Sequence, residues 1–251
     1  MGLFDAMPLC NLCPRRCNAD RGTPAGLKRA LCKAGPTPRV ALVSLHPWEE
    51  PCIAGKKGAG TVFFSHCHLR CVFCQNHAIS TEGKGLDVTP ERLTAIFLEQ
   101  QARGASCLEL VTPTHFTDAI VPALKKAKEQ GLTIPVAYNT NGYELPQTLR
   151  RYEGLIDIFM PDLKYFDDAY ATKYSAAPHY FTFASEAIKT MYAMVGAVQI
   201  GDDGLMTKGV LVRHLVLPWL YKDSFKCLTW LYDNFKENVY LSLMNQYMPL
   251  Y

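Results

Sequence analysis

A parallel α/β fold is what this sequence predicts, and three observations predict it. From Thr61 onward, short apolar runs rich in β-branched and aromatic residues alternate with segments of helical periodicity. Glycines punctuate the junctions, and the strand-like runs lead into polar residues at their C-terminal ends. Six such runs can be read, fewer than the eight that close a barrel, so an open partial barrel and a doubly wound sheet both satisfy the pattern. In either arrangement ligands bind beyond the carboxyl ends of the strands.

The elements follow in order. Residues 61–65 are β-branched and aromatic, come after Gly58 and Gly60, and read as a buried strand. Thr89 is an N-cap with Pro90 at the first helical position, Leu93, Ile96 and Phe97 form an apolar stripe, and Gly104 ends the helix. Residues 107–111 form the second strand. A helix over 118–130 is stopped by Gly131. The third and fourth strands are 134–138 and 155–160. An extra helix over 184–195 and a hairpin over 198–206, turning at Asp203-Gly204, interrupt the alternation. The fifth strand is 209–217. A helix over 224–236 carries Phe225, Leu228, Leu231, Tyr232 and Phe235 at apolar positions, and 239–243 is the sixth strand.

Composition bounds the rest. A chain of 251 residues, 49% of them hydrophobic, fits one barrel-sized domain or such a domain with a small appendage. A net charge of +3 is too close to balance to argue for nucleic acid or an anionic membrane surface. No run is long and apolar enough to predict a membrane span. The N-terminus has no basic region leading into an apolar stretch, so no signal peptide is expected. Ala6 stands where a myristoylation signal after Gly2 needs Ser or Thr. Ten cysteines without a secretory signal then read as metal ligands and reduced thiols in the cytoplasm.

Chemistry concentrates after the first strand. Cys67, Cys71 and Cys74 are spaced C-x3-C-x2-C. An ordinary iron–sulfur cube takes four cysteines. Three leave one metal position open, and metal sites that do chemistry keep a position open. The alternative is a structural zinc site with His66 or His68 as fourth ligand. Phe73, between two of the cysteines, shields the site from water.

With its surroundings the loop resembles a known family. The segments Glu49-Glu50-Pro51-Cys52-Ile53-Ala54-Gly55, Gly58-Ala59-Gly60-Thr61-Val62-Phe63-Phe64 and Cys74-Gln75-Asn76 are similar to radical S-adenosylmethionine (SAM) enzymes, in the branch related to pyruvate formate-lyase activating enzymes. The resemblance implies an open partial (β/α)6 barrel over 56–251, with residues 1–55 as a cysteine-rich N-terminal extension. It implies a [4Fe-4S] cluster on Cys67, Cys71 and Cys74, whose free iron chelates SAM. Reductive cleavage then gives a 5′-deoxyadenosyl radical that abstracts hydrogen, an oxidoreductase chemistry. It also implies an electron donor of flavodoxin or ferredoxin type, and a glycyl-radical enzyme or a small molecule as substrate.

The polar strand ends are assigned through the same resemblance. Asn139-Thr140-Asn141-Gly142 and Met160-Pro161-Asp162-Leu163-Lys164 resemble segments that line the SAM pocket of the activating enzymes. Asn139, Thr140, Asp162 and Lys164 are thereby expected at SAM, Lys164 pairing with its carboxylate and Asp162 facing its ammonium or a cation. Asn139 stands in place of an aspartate and removes one negative charge. Thr112 and Thr114 occupy the place of a Gly-Gly-Glu motif, a departure from the family pattern. His115 reads equally as a helix-entry residue or a substrate-side one. Arg213 and His214 are adjacent in a strand and point to opposite faces, with Arg213 expected in the pocket.

A second set, Cys10, Cys13, Cys17 and Cys32, is spaced C-x2-C-x3-C-x14-C and reads as a closed site for zinc or a second iron–sulfur cluster. Cys52 is a further candidate ligand, while Cys107 and Cys227 read as core. Arg15, Arg16, Arg21, Lys28, Arg29 and Lys33 lie among the first four. The competing function class is a metal-stabilised binding protein for nucleic acid without radical chemistry. No aromatic lies between Cys10 and Cys32 to stack a base, which argues against nucleic acid.

Overall fold

The computed structural model describes residues 9–248. The readings made at residues 1–8, on a leader and on Gly2, lie outside them. In chain order the elements are α1 (Pro24–Arg29), β1 (Arg39–His46), α2 (Pro51–Ala54), β2 (Ala59–Phe64), α3 (His77–Ser80), β3 (Leu86–Asp87), α4 (Pro90–Ala102) and β4 (Leu108–Val111). A 3-10 turn over Thr114–Phe116 leads into α5 (Thr117–Glu129), then β5 (Val136–Thr140), α6 (Pro146–Arg150), β6 (Ile158–Pro161) and α7 (Asp168–Ser175). The chain continues through α8 (Tyr180–Val195), β7 (Gln199–Ile200), β8 (Met206–Leu215), α9 (Tyr221–Phe235) and β9 (Tyr240–Met244).

Six strands run parallel in the order β2-β4-β5-β6-β8-β9. They are the six expected, and the sheet remains open, as in a partial barrel. Two strands were not foreseen. β1 pairs antiparallel with the outer edge of β2, and the two-residue β3 pairs with β1. β1 is mostly half-buried, so its sequence lacks the sharp contrast of a strand with one dry face. At α4 the Thr89 hydroxyl accepts from the Arg92 amide at 3.2 Å, the cap its sequence called for. The hairpin at 198–206 also forms, with β7 antiparallel to the start of β8.

Register decides which residues face the site. Val62, Leu110, Tyr138, Phe159 and Val210 lie abreast across five strands, all fully buried in the main core that includes helix residues such as Leu93, Phe97 and Leu124. The opposite parity turns to the concave side. There Ala137, Ile158, Met160 and Leu211 pack with Ile53, Ala59, Cys107 and Met206 in a second, smaller cluster. That cluster fills the interior of the partial barrel, and polar residues of the same parity lie toward the carboxyl ends of its strands. Cys107 and Cys227 are core residues as expected, and Cys52 packs against the inner cluster rather than near either cysteine set.

Candidate active site

Beyond the carboxyl ends of the parallel strands opens a cavity of about 610 Å3. Cys67, Cys71 and Cys74 line it together with Phe73. The loop that carries them leaves β2 and is pinned by a distant part of the chain. The Arg70 amide donates to the Ser175 carbonyl at 3.0 Å and the Val72 amide to the Tyr174 carbonyl at 2.9 Å. Each sulfur also receives a polar neighbour. Cys67 Sγ accepts from the Leu69 amide and from Asn141 Nδ2, both at 3.4 Å. Ser175 Oγ donates to Cys71 Sγ at 3.0 Å, and Ser80 Oγ lies 3.3 Å from Cys74 Sγ. Burial pushes the Cys67 thiol up to about 12 and raises that of Cys71, so a cationic partner is needed to hold these sulfurs as thiolates.

Thr112, Asn139, Thr140, Asp162, Lys164 and Arg213 line the same cavity. Lys164 Nζ lies 2.6 Å from Asp162 Oδ2, and Arg213 Nε lies 3.4 Å from Asp162 Oδ1. Burial opposes ionisation of Asp162, but Lys164 and Arg213 outweigh it and hold its carboxyl below the usual range. Burial likewise opposes the Lys164 charge, and Asp162 with the nearby Cys71 overrides it. Lys164 Nζ also stands 5.9 Å from the Phe73 ring. Gly142 (φ +79°) lets the turn after β5 come this close to β6, because a Cβ there would lie 2.1 Å from the Asp162 carbonyl oxygen.

Arg213 joins Asp162 to an acidic wall. Its Nη1 reaches Glu49 Oε1 at 3.2 Å and its Nη2 donates to Asn139 Oδ1 at 3.1 Å. Asn139 Nδ2 in turn donates to Glu109 Oε1 at 2.6 Å. Burial, then the charge of Glu49, pushes the Glu109 carboxyl up to about 8, so it is largely protonated at neutral pH.

The remaining expected residues are placed elsewhere. Thr114 does not line the cavity, and its hydroxyl donates to the buried Glu144 carboxylate. Thr140 borders the cavity, but its hydroxyl turns to the same carboxylate. His115 is buried with Nε2 2.8 Å from the Ser65 carbonyl, on the structural side of its two readings. His214 points away from Arg213, with Nδ1 2.5 Å from the Leu163 carbonyl. His68 Nε2 is 2.9 Å from the Tyr143 carbonyl, and burial drives its pKa down to about 4. Among the described residues, no three His, Cys, Asp or Glu side chains converge on a point that would hold a single metal ion. Sequence reasoning missed Glu49 and Glu109 as site neighbours and Ser80, Asn141 and Ser175 as partners of sulfur. Glu49-Glu50 was the only available signal, since a serine 104 positions from the cysteine it serves leaves none.

A family model described as the Radical SAM superfamily matches residues 61–199, more than half of the chain. The chain belongs to the radical SAM superfamily. Among curated proteins, "Uncharacterized protein MJ0674" of Methanocaldococcus jannaschii is 24% identical over 253 residues, covering 96% of this chain and 67% of that protein. Among solved structures, methylornithine synthase (PylB) superposes with a TM-score of 0.53 at 15% identity, over 76% of this chain and 55% of that one. Streptococcus suis SuiB bound to S-adenosylmethionine gives a TM-score of 0.50 at 14% identity, over 72% and 39%. This chain thus spans about half the length of these structures or less, and the likeness establishes the shared fold. Membership of the superfamily brings a [4Fe-4S] cluster, SAM and radical chemistry. The cavity fits them. Three sulfurs with polar donors border one space, with fixed charges of both signs beside them.

Proposed function

We propose that this chain is a radical SAM enzyme of the pyruvate formate-lyase activating enzyme type, with residues 56–251 as its catalytic core. Residues 1–55 are an N-terminal cysteine-rich extension that also lends the sheet its antiparallel strand β1. Cys67, Cys71 and Cys74 hold the [4Fe-4S] cluster and leave one iron for SAM. When bound, the reduced cluster would pass one electron to SAM, whose cleavage to methionine would leave a 5′-deoxyadenosyl radical able to abstract a hydrogen atom. The chain's own residues bind and orient. Lys164 offers its ammonium to the SAM carboxylate, and Asp162 offers its carboxylate to the SAM amine. Arg213 fixes the Asp162 carboxylate, Asn139 ties Arg213 to the wall behind it, and Thr112 and Thr140 close the sides. Phe73 keeps water from the sulfurs.

The observation that carries this reading is the meeting, in one cavity, of three donor-supported sulfurs with the buried Asp162–Lys164–Arg213 group. The hydrogen donor is a glycine Cα–H of a partner enzyme, or a small molecule held at Glu49 and Glu50. Trp48, which lines the cavity and is 87% exposed, supports the larger partner. The related fold of SuiB has been captured with its precursor peptide SuiA, which also suits a polypeptide substrate. The electron comes from a flavodoxin- or ferredoxin-type donor. The test is anaerobic reconstitution followed by a 5′-deoxyadenosine assay under reductant. Wild type forms it and Cys71→Ala does not; formation by neither protein, with iron loaded, overturns the reading.

A further inference from the structure

We propose that Tyr180, the first residue of α8, is a positioning residue for SAM: its hydroxyl fastens the turn that carries Asp162 and Lys164 to the turn that carries Asn141. The inference deepens the proposed function and rests on its placing of SAM at Asp162 and Lys164. α8 is the helix that interrupts the alternation of strands and helices, and it begins at Tyr180 rather than at residue 184. None of its residues lines the cavity.

The sheet satisfies only part of the backbone after β6. The Asp162 amide donates to the Thr140 carbonyl at 2.8 Å and the Leu163 amide to the Arg213 carbonyl at 2.9 Å, so neighbouring strands hold both. His214 Nδ1 takes the Leu163 carbonyl. The Asp162 carbonyl and the Lys164 amide remain, and Tyr180 meets both. Its Oη accepts from the Lys164 amide at 3.0 Å and lies 2.9 Å from the Asp162 carbonyl oxygen. A buried backbone group without a partner is costly, so a side chain that serves two of them fixes the shape of the turn.

The same oxygen reaches a second loop. Tyr180 Oη stands 2.8 Å from the Asn141 carbonyl oxygen, so two carbonyls on different turns share its one proton. The Asn141 side chain is held at both ends. Oδ1 accepts from the Tyr143 amide at 2.9 Å, and Nδ2 donates to Cys67 Sγ at 3.4 Å. One phenol thus joins a partner of the sulfur loop to the backbone of the charged pair.

The ring is gripped where it stands. Tyr180 is fully buried. It stacks on Tyr143 with centroids 6.1 Å apart, and meets Tyr165 edge-on at 5.7 Å. The Tyr143 hydroxyl donates to the Pro178 carbonyl at 2.8 Å, just before the helix begins. Gly142 leaves space for the phenol, since a Cβ there would lie 3.0 Å from Tyr180 Oη. Burial pushes the phenol well above its ordinary pKa, so it stays a neutral donor. Asp162 and Lys164 must meet two charged groups of SAM at once, which demands support of this kind.

The test compares wild type, Tyr180→Phe and Tyr152→Phe, each reconstituted anaerobically. Tyr152 is the control. It is also fully buried, and its hydroxyl donates to Thr117 Oγ1 at 3.2 Å, away from the cavity. Iron content, urea midpoints, SAM affinity by equilibrium dialysis, and KM and kcat for deoxyadenosine formation are measured. Both variants should keep wild-type iron and lose some stability. Only Tyr180→Phe should weaken SAM binding and raise its KM, roughly 10-fold, with kcat at saturation within about threefold of wild type. Unchanged SAM affinity in Tyr180→Phe, or an equal change in Tyr152→Phe, overturns the inference and leaves the SAM reading intact. No SAM binding by iron-loaded wild type overturns both. If Tyr180→Phe does not fold, hydrogen exchange on the wild type decides. SAM should slow exchange over residues 180–183, and an unchanged rate there overturns the inference.

Discussion

The two cysteine-bearing segments of this chain solve opposite problems. Residues 67–74 are set at the end of a buried parallel strand and are tied by backbone hydrogen bonds to residues 174 and 175, so their shape is imposed from outside. Residues 10–35 have one short helix, few large buried side chains and several residues at positive φ, so little secondary structure fixes their shape. Two arginines join them. Arg15 Nε donates to the His68 carbonyl at 2.9 Å, and Arg70 reaches the Leu31 carbonyl from the other side. The contrast teaches that a loop which must leave a metal position open is best built on a rigid scaffold, whereas a closed site can itself be the scaffold.

The largest expected effects separate the two directly. Cys71→Ala should bring deoxyadenosine formation to background while shifting Tm by only a few degrees. If the N-terminal cysteines hold a structural metal, Cys17→Ala should lower Tm by roughly 10 °C or more, since such a site contributes folding energy outright. Similar Tm losses in both variants would break the comparison. Next comes the charged group that borders only the catalytic loop. Asp162→Asn strands Lys164 and Arg213 in a buried place, and should cost about 3–5 kcal/mol in urea unfolding along with a roughly 10- to 100-fold rise in KM for SAM. Because its folded pKa is depressed, the stability Asp162 adds is present above the ordinary carboxylate pKa and lost as pH falls through the lowered one. The wild-type loss in acid should therefore be smaller in the variant.

Smaller effects sharpen the picture. Ser175→Ala removes the hydroxyl on Cys71 Sγ and should keep about four irons in the catalytic loop while making its potential more negative and slowing turnover about 10-fold. An unchanged potential would mean that the serine only packs. Glu109 supplies the pH test. Its carboxyl stays protonated to about 8 when folded but ionises near 4.5 when unfolded, so the folded state binds more protons between those values. Stability should fall as pH rises through that window, and Glu109→Gln should flatten the slope, read from urea midpoints at pH 5 and pH 8.

Much of this was legible in the sequence because it is local. β-branched runs, Thr89-Pro90 and the three-cysteine spacing each state their meaning within a dozen residues. Strand parity was enough to separate Arg213 from His214. It also governs Asn139 and Thr140, one turned to the cavity and the other sending its hydroxyl to Glu144. What stayed hidden depends on distant partners. Thr114 was expected near SAM, but Glu144, buried thirty residues on, takes its hydroxyl. Ser80 and Ser175 could not be linked to sulfur before the chain was folded. β1 escaped notice because a strand half-buried along most of its length carries no clean alternation.

The hydrogen bonds from Arg70 and Val72 to Ser175 and Tyr174 also set an order in time. A ribosome delivers residue 74 about a hundred residues before it delivers residue 175, which at common synthesis rates is an interval of roughly 5–20 s. Until α7 emerges and docks, the sulfur-bearing loop lacks these two backbone acceptors and the hydroxyl for Cys71. Iron arriving in that interval meets a slack thread of thiols. If the loop holds the cluster, its finished shape is available only after translation has passed the middle of the barrel.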